Sequence, residues 1–108
     1  MPPEHADCLF CGLVRDGEHV NATEGFVAIR DIAPQAPTHL LVLPERHVDT
    51  FRQIEEFSAE ESKRMLQFVA ETASDAGLED YRVMVHVGPS AGQTVFHLHW
   101  HILGDSAR

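Results

Sequence analysis

Three histidines, His97, His99 and His101, stand at alternate positions with Leu98, Trp100 and Ile102 between and after them. In a strand successive side chains point to opposite faces. The spacing therefore predicts a row of imidazoles ~7 Å apart on one face and, with Phe96, an apolar set on the other. A straight row disfavours one metal held by all three rings, because each Zn–N bond is only ~2.1 Å long. It suits a neutral imidazole that attacks phosphorus while its neighbours hydrogen-bond the developing charge or the leaving group. An ordinary pKa near ~6.5 leaves one ring nitrogen with its lone pair at neutral pH. A single strand histidine is more often structural, and an expression tag also clusters histidines, but a tag is contiguous and lacks interleaved large hydrophobes.

The only two cysteines, Cys8 and Cys11, form a C-x-x-C. That is half of a tetrahedral zinc site, and no second C-x-x-C or closely spaced histidine pair completes it, so the spacing leaves both zinc and two free or buried thiols open. One pair without a secretory signal reads as a metal or redox site rather than a disulfide framework. Gly88, Gly92 and Thr94 could offer amides and a hydroxyl to a single phosphate, although such a turn is equally an ordinary hairpin loop.

These residues need elements to position them. Phe26-Val-Ala-Ile-Arg30 and Leu40-Leu-Val-Leu43 read as strands. The two prolines between them predict an ordered loop over residues 31–38. Ser58 and Glu61 fit a capping box that opens a helix to about Ala76, with Met65, Phe68, Val69, Thr72, Ala73 and Ala76 on its buried face and Gly77 as a left-handed stop. Residues 81–87 alternate as a strand with Tyr81, Val83, Val85 and Val87 on one side, and residues 95–103 form the histidine strand. The order predicts an α+β fold, an antiparallel sheet with one long helix packed on it.

The chain has 108 residues, and nothing in it resembles an interdomain linker, so residues 1–108 read as a single domain. Seventeen acidic against eight basic side chains give a net charge of −9, which argues against a nucleic-acid partner. No apolar run reaches the ~18 residues of a membrane span, and the opening residues lack the features of a signal peptide; a cytoplasmic protein with no membrane partner is the expectation.

His97-Leu-His-Trp-His-Ile-Leu103 matches the H-x-H-x-H-x-x pattern, with apolar x, of the histidine triad superfamily. Residues 31–47, DIAPQAPTHLLVLPERH, resemble a second signature of its Hint branch, the purine-nucleotide phosphoramidase type. Residues 92–95, GQTV, resemble the segment before the triad. The resemblance runs in order from Cys8 to Gly104. It implies a purine nucleoside monophosphate derivative attacked at its α-phosphorus by the middle histidine, His99, to give a nucleotidyl-histidine that water cleaves. His101 would bind phosphate oxygens and assist the leaving group, His39 would orient the nucleophilic ring, and Thr94 would donate to the phosphate or leaving group. Asp31 would accept from the ribose hydroxyls, Phe10, Ile29 and Ile32 would form the base slot, and Gly92 would lie against the phosphate.

The resemblance extends to a homodimer with a continuous sheet. Zinc-bearing members such as the galactose-1-phosphate uridylyltransferases imply structural zinc on Cys8, Cys11, His47 and His97. One position departs: His86 stands where the Hint pattern has an asparagine that helps bind the phosphate or leaving group. Imidazole can replace the amide as a donor, but its charge depends on pH, which bears on leaving-group preference and pH optimum. His5 and His19 match nothing and read as surface residues. Alternatives are a dinucleoside polyphosphate hydrolase, a metallohydrolase in which triad histidines hold catalytic zinc, and a non-catalytic nucleotide-binding or scaffold protein.

Overall fold

The computed structural model describes residues 8–105; His5 and the opening residues lie outside that range. Five antiparallel strands make one sheet in the order β1-β2-β3-β5-β4, from β1 (Asn21–Thr23), β2 (Phe26–Arg30), β3 (Thr38–Pro44), β4 (Tyr81–Met84) and β5 (Trp100–Gly104). The α+β reading holds, and beside the long helix α2 (Ala59–Asp75) the described residues form a short α-helix, α1 (Leu9–Asp16), that was not expected.

Alternation along the strands separates two cores. Phe26, Ala28, Leu40, Val42 and Ile102 face α2 and pack with its Met65, Phe68, Val69 and Ala73. Val27, Ile29, Leu41 and Leu43 project to the other face, where Phe10 of α1 closes a smaller cluster. His101 pairs with Leu41 across β3 and β5, so its side chain shares this second face. The imidazole row therefore lies on the α1 side of the sheet.

α2 follows its sequence signals closely. Ser58 Oγ accepts the Glu61 amide at 3.0 Å, and Gly77 takes the left-handed conformation at φ +81°. The reciprocal half of the predicted box is replaced, because the Glu61 carboxylate pairs with Arg46 at 3.0 Å. α1 had no prediction: with eight residues and Gly12 in its middle it is too short for periodicity to declare it. Its start is fixed locally by Cys8, whose Sγ accepts the Cys11 amide at 3.3 Å.

Two predicted strands are shorter than their alternation suggested. β4 stops at Met84, and as an edge strand it leaves Val83 at 42% exposure on the α2 face instead of in the core. Phe96, placed with the apolar set by alternation, is 44% exposed. No helix among the described residues is long and apolar enough to cross a membrane.

Candidate active site and metal centre

The histidines do not lie on one straight strand. β5 begins at Trp100, and His97 and His99 precede it in irregular backbone. Two contacts hold that segment. The Leu98 amide donates to the Val48 carbonyl at 2.6 Å. Gln93, which is buried, accepts the Gly88 amide at 2.9 Å and donates to the carbonyls of Asp49 at 2.8 Å and Val95 at 3.2 Å. Gln93 was not singled out from the sequence, and a glutamine in a glycine-rich turn carries no signal that it will brace three backbone points. Leu98 still enters the α2 core while all three histidines are buried.

Hydrogen bonds settle which ring nitrogen carries each proton. His99 Nδ1 lies 2.7 Å from the His97 carbonyl oxygen, which can only accept, so Nδ1 donates and Nε2 keeps the lone pair. The Gln35 amide donates to His39 Nδ1 at 3.1 Å, which places the His39 proton on Nε2. That proton faces His101 Nδ1 at 2.9 Å and, less closely, Asp31 Oδ2 at 3.4 Å. His101 Nδ1 is thereby an acceptor and Nε2 a donor, and this buried Nε2–H has no partner among the described residues. A buried donor without a partner costs about 1–3 kcal/mol, so the site is built to receive an acceptor there.

Both central rings are held neutral. Burial lowers the His99 pKa, and the hydrogen bond to the His97 carbonyl only partly opposes it. Burial, reinforced by the neighbouring His99, His86 and His39 rings and opposed by Asp31, takes His101 down to about 4. His39 was expected to orient His99. It meets His101 instead, and the two rings that touch His99 are His101 at 5.0 Å between centroids and Phe10, edge-on at 4.8 Å.

The remaining residues gather unevenly. Asp31 is half-buried; its Oδ1 caps the Ala33 amide at 2.8 Å, an ordinary turn role, while Oδ2 faces His39. Phe10 and Ile29 sit together in the α1-side core, whereas Ile32 is 94% exposed on the loop after β2. His86, in the loop after β4, lays its ring 4.7 Å from His101. Gly92 curves against it in the left-handed region at φ +100°, where an added Cβ would lie 3.5 Å from His86 Nδ1. Thr94 is exposed in the segment before the triad. A cleft of about 470 Å³ opens beside Asp31 and His39, lined also by Arg30, Thr38 and Asp75.

The cysteine end of α1 meets two histidines. Cys11 Sγ lies 3.1 Å from His47 Nδ1 and 3.4 Å from His97 Nδ1, and Cys8 Sγ lies 3.5 Å from His97 Nδ1. These four donor atoms all fall within 4.8 Å of one another. Both imidazoles turn Nδ1 inward and have Nε2 engaged outside, His97 on the Pro44 carbonyl and His47 on the Asp49 carboxylate. That outer shell fixes the tautomer a metal ligand needs, so the donor set fits a closed tetrahedral zinc site. Burial and the adjacent Cys8 push the Cys11 thiol up to about 11, which is unlike a reactive redox thiolate.

A family model describing the HIT domain matches residues 14–107. A HIT-like protein of Chlamydia pneumoniae is 42% identical over 97 residues, covering 86% of this chain and 84% of its own length. The crystal structure of a HIT family hydrolase from Legionella pneumophila superposes with a TM-score of 0.83 at 35% identity, over 92% of this chain and 93% of that one. A hypothetical histidine triad nucleotide-binding protein from Sulfolobus tokodaii superposes with a TM-score of 0.76 at 28% identity, over 91% of this chain and 68% of that one. The chain belongs to the HIT domain family.

Proposed function

We propose that the protein is a Hint-type hydrolase or nucleotidyl transferase, acting at the α-phosphorus of a purine nucleoside monophosphate derivative, a phosphoramidate or related AMP-X compound. The carrying observation is the pair of ring nitrogens: a His99 Nε2 with its lone pair free beside a buried, partnerless His101 Nε2–H. The superposed relatives include a protein named as a HIT family hydrolase and one named as a histidine triad nucleotide-binding protein, which supports the same reading.

His99 Nε2 attacks phosphorus and His101 Nε2–H hydrogen-bonds a phosphoryl oxygen, giving a nucleotidyl-histidine that water then cleaves. Thr94 and Gly92 add donors from the preceding turn. Asp31 accepts from the ribose, and Phe10, Ile29 and the exposed Ile32 flank the base. Cys8, Cys11, His47 and His97 would hold zinc, which would supply structural tethering of α1 to the triad segment. The whole chain is read as one such domain in the cytoplasm, a reading supported by its unpaired thiols. A homodimer is supported by the open edge of β4 and the exposed Tyr81, Val83 and Leu66 that a second copy would cover. Sedimentation of wild type at twice the chain mass, and of Val83→Lys at the chain mass, checks it.

The test of the activity is AMP release from adenosine 5′-phosphoramidate. His99→Ala should reduce it by at least about 10³-fold while AMP binding, followed by calorimetry, is retained. Wild-type binding without release would leave a nucleotide-binding protein. Reversible arrest by a chelator would favour catalytic zinc.

A further inference from the structure

The reaction proposed above leaves a proton unaccounted for. An amine cannot depart from phosphorus as a free anion, so a proton must reach the leaving nitrogen as the P–N bond breaks. His99 is occupied as nucleophile, with Nδ1 committed to a carbonyl. His101 has one proton, on Nε2; giving it up would leave an imidazolate, because its Nδ1 is already an acceptor from His39. With a pKa of about 4, only about one His101 ring in a thousand carries a second proton at pH 7. His39 Nε2–H is committed to His101 Nδ1, and Asp31 in this reading accepts from the ribose.

That leaves His86. It is the one member of the His39, His86, His99 and His101 group that is only half-buried. Its ring stands 4.7 Å from His101, tilted 37°, and no hydrogen bond joins it to the protein among the described residues. Both ring nitrogens are therefore available, one to substrate and one to solvent. Gly92 leaves room against the ring that a side chain would fill. The charged and titratable groups it acts on directly are His101 on β5 and His99 just before β5, which Asp31 after β2 also influences, as does His39 on β3 for His101; Arg52 approaches Gly88 in the same loop as His86.

Resting on the nucleotidyl-transfer reading, we infer that His86 is the proton donor to the leaving group and sets a preference for substrates with amine leaving groups. As His99 Nε2 forms its bond to phosphorus, the P–N bond to the leaving group breaks with its electron pair on nitrogen. The His86 imidazolium passes its proton to that nitrogen and becomes neutral. Water then attacks phosphorus, the P–N bond to His99 breaks, and a proton of the water returns to His86. His101 stays neutral throughout and only hydrogen-bonds.

The experiment compares two substrates that differ in their need for a proton: adenosine 5′-phosphoramidate and the 4-nitrophenyl ester of AMP, whose phenolate departs unprotonated. The readout is the ratio of their kcat/KM values in wild type, His86→Asn and His86→Gln. Both amides keep a hydrogen-bond donor but cannot transfer a proton. The ratio should fall by about 100-fold in each variant, within the range of general acid catalysis. An unchanged ratio, with both substrates slowed alike or neither slowed, overturns the assignment of His86 while leaving the nucleotidyl-transfer reading intact. No turnover of either substrate by wild type overturns that reading and this inference with it.

Discussion

His39 Nε2 lies 2.9 Å from His101 Nδ1, and the direction of that hydrogen bond decides where the His101 proton sits. The Gln35 amide fixes His39, His39 fixes His101, and the relay ends on a buried N–H with no acceptor among the described residues. A backbone amide three elements of geometry away thus sets a donor at the reacting centre.

Breaking the relay at its middle should be costly without destroying the fold. His39→Phe removes the donor to His101 Nδ1 and should lower kcat by about 10- to 100-fold, the range for residues that orient a functional ring, with a smaller change in KM. Nitrogen-detected NMR should show the His101 proton on Nε2 in wild type and a mixture of tautomers in the variant. A single unchanged tautomer would contradict the relay.

The buried neutral rings also tie stability to pH. Below 6.5 an unfolded chain takes up a proton on His101 that the folded chain refuses until about pH 4, so stability is full above 6.5 and is lost as pH falls through that window. The shift amounts to about 3 kcal/mol in full and about 2 kcal/mol by pH 5, with His99 adding in the same direction. Urea unfolding at pH 7 and pH 5 should show wild type losing about 2 kcal/mol more than His101→Gln. Equal losses would show that His101 does not resist protonation.

Gln93 braces the turn between β4 and the triad segment. Gln93→Ala orphans the Gly88 amide and two carbonyls and should cost about 2–3 kcal/mol in chemical denaturation. Because the same turn carries Gly92 and Thr94, KM should rise as well. A variant as stable as wild type would mean that water replaces all three bonds.

The zinc reading is checked by elemental analysis. Purified protein should hold one zinc per chain, and Cys11→Ser should hold almost none and melt more than about 10 °C lower. Full stability in the absence of metal would reduce the four residues to a polar cluster.

The sequence was most informative where a local pattern has a physical reason to persist. The alternation of Leu98 and Ile102 with the histidines survives because both apolar residues have a core to enter, even though the backbone before Trp100 is not strand. The Ser58 cap and the spacing from Met65 to Ala73 are set within a few residues and stand as expected. The cysteine and histidine cluster is brought together across 89 residues of chain, and spacing alone left it open; only the resemblance named His47 and His97. The partner of His39 was misassigned because cross-strand neighbours depend on register. Thr38 opposes Gly104 and His39 opposes Leu103, which sets His39 diagonally to His101. Val83 keeps the α2 face by pairing with Ile102 but is 42% exposed on the edge strand, and Phe96 is 44% exposed in the irregular backbone before β5.

The most direct test of His99 as nucleophile is the stereochemical course at phosphorus. A phosphorothioate analogue of adenosine 5′-phosphoramidate, of one configuration at phosphorus, would be hydrolysed in isotopically labelled water and the product's configuration determined. Two successive displacements, on His99 and then by water, predict retention. Inversion would mean that water attacks the substrate directly and that no nucleotidyl-histidine forms.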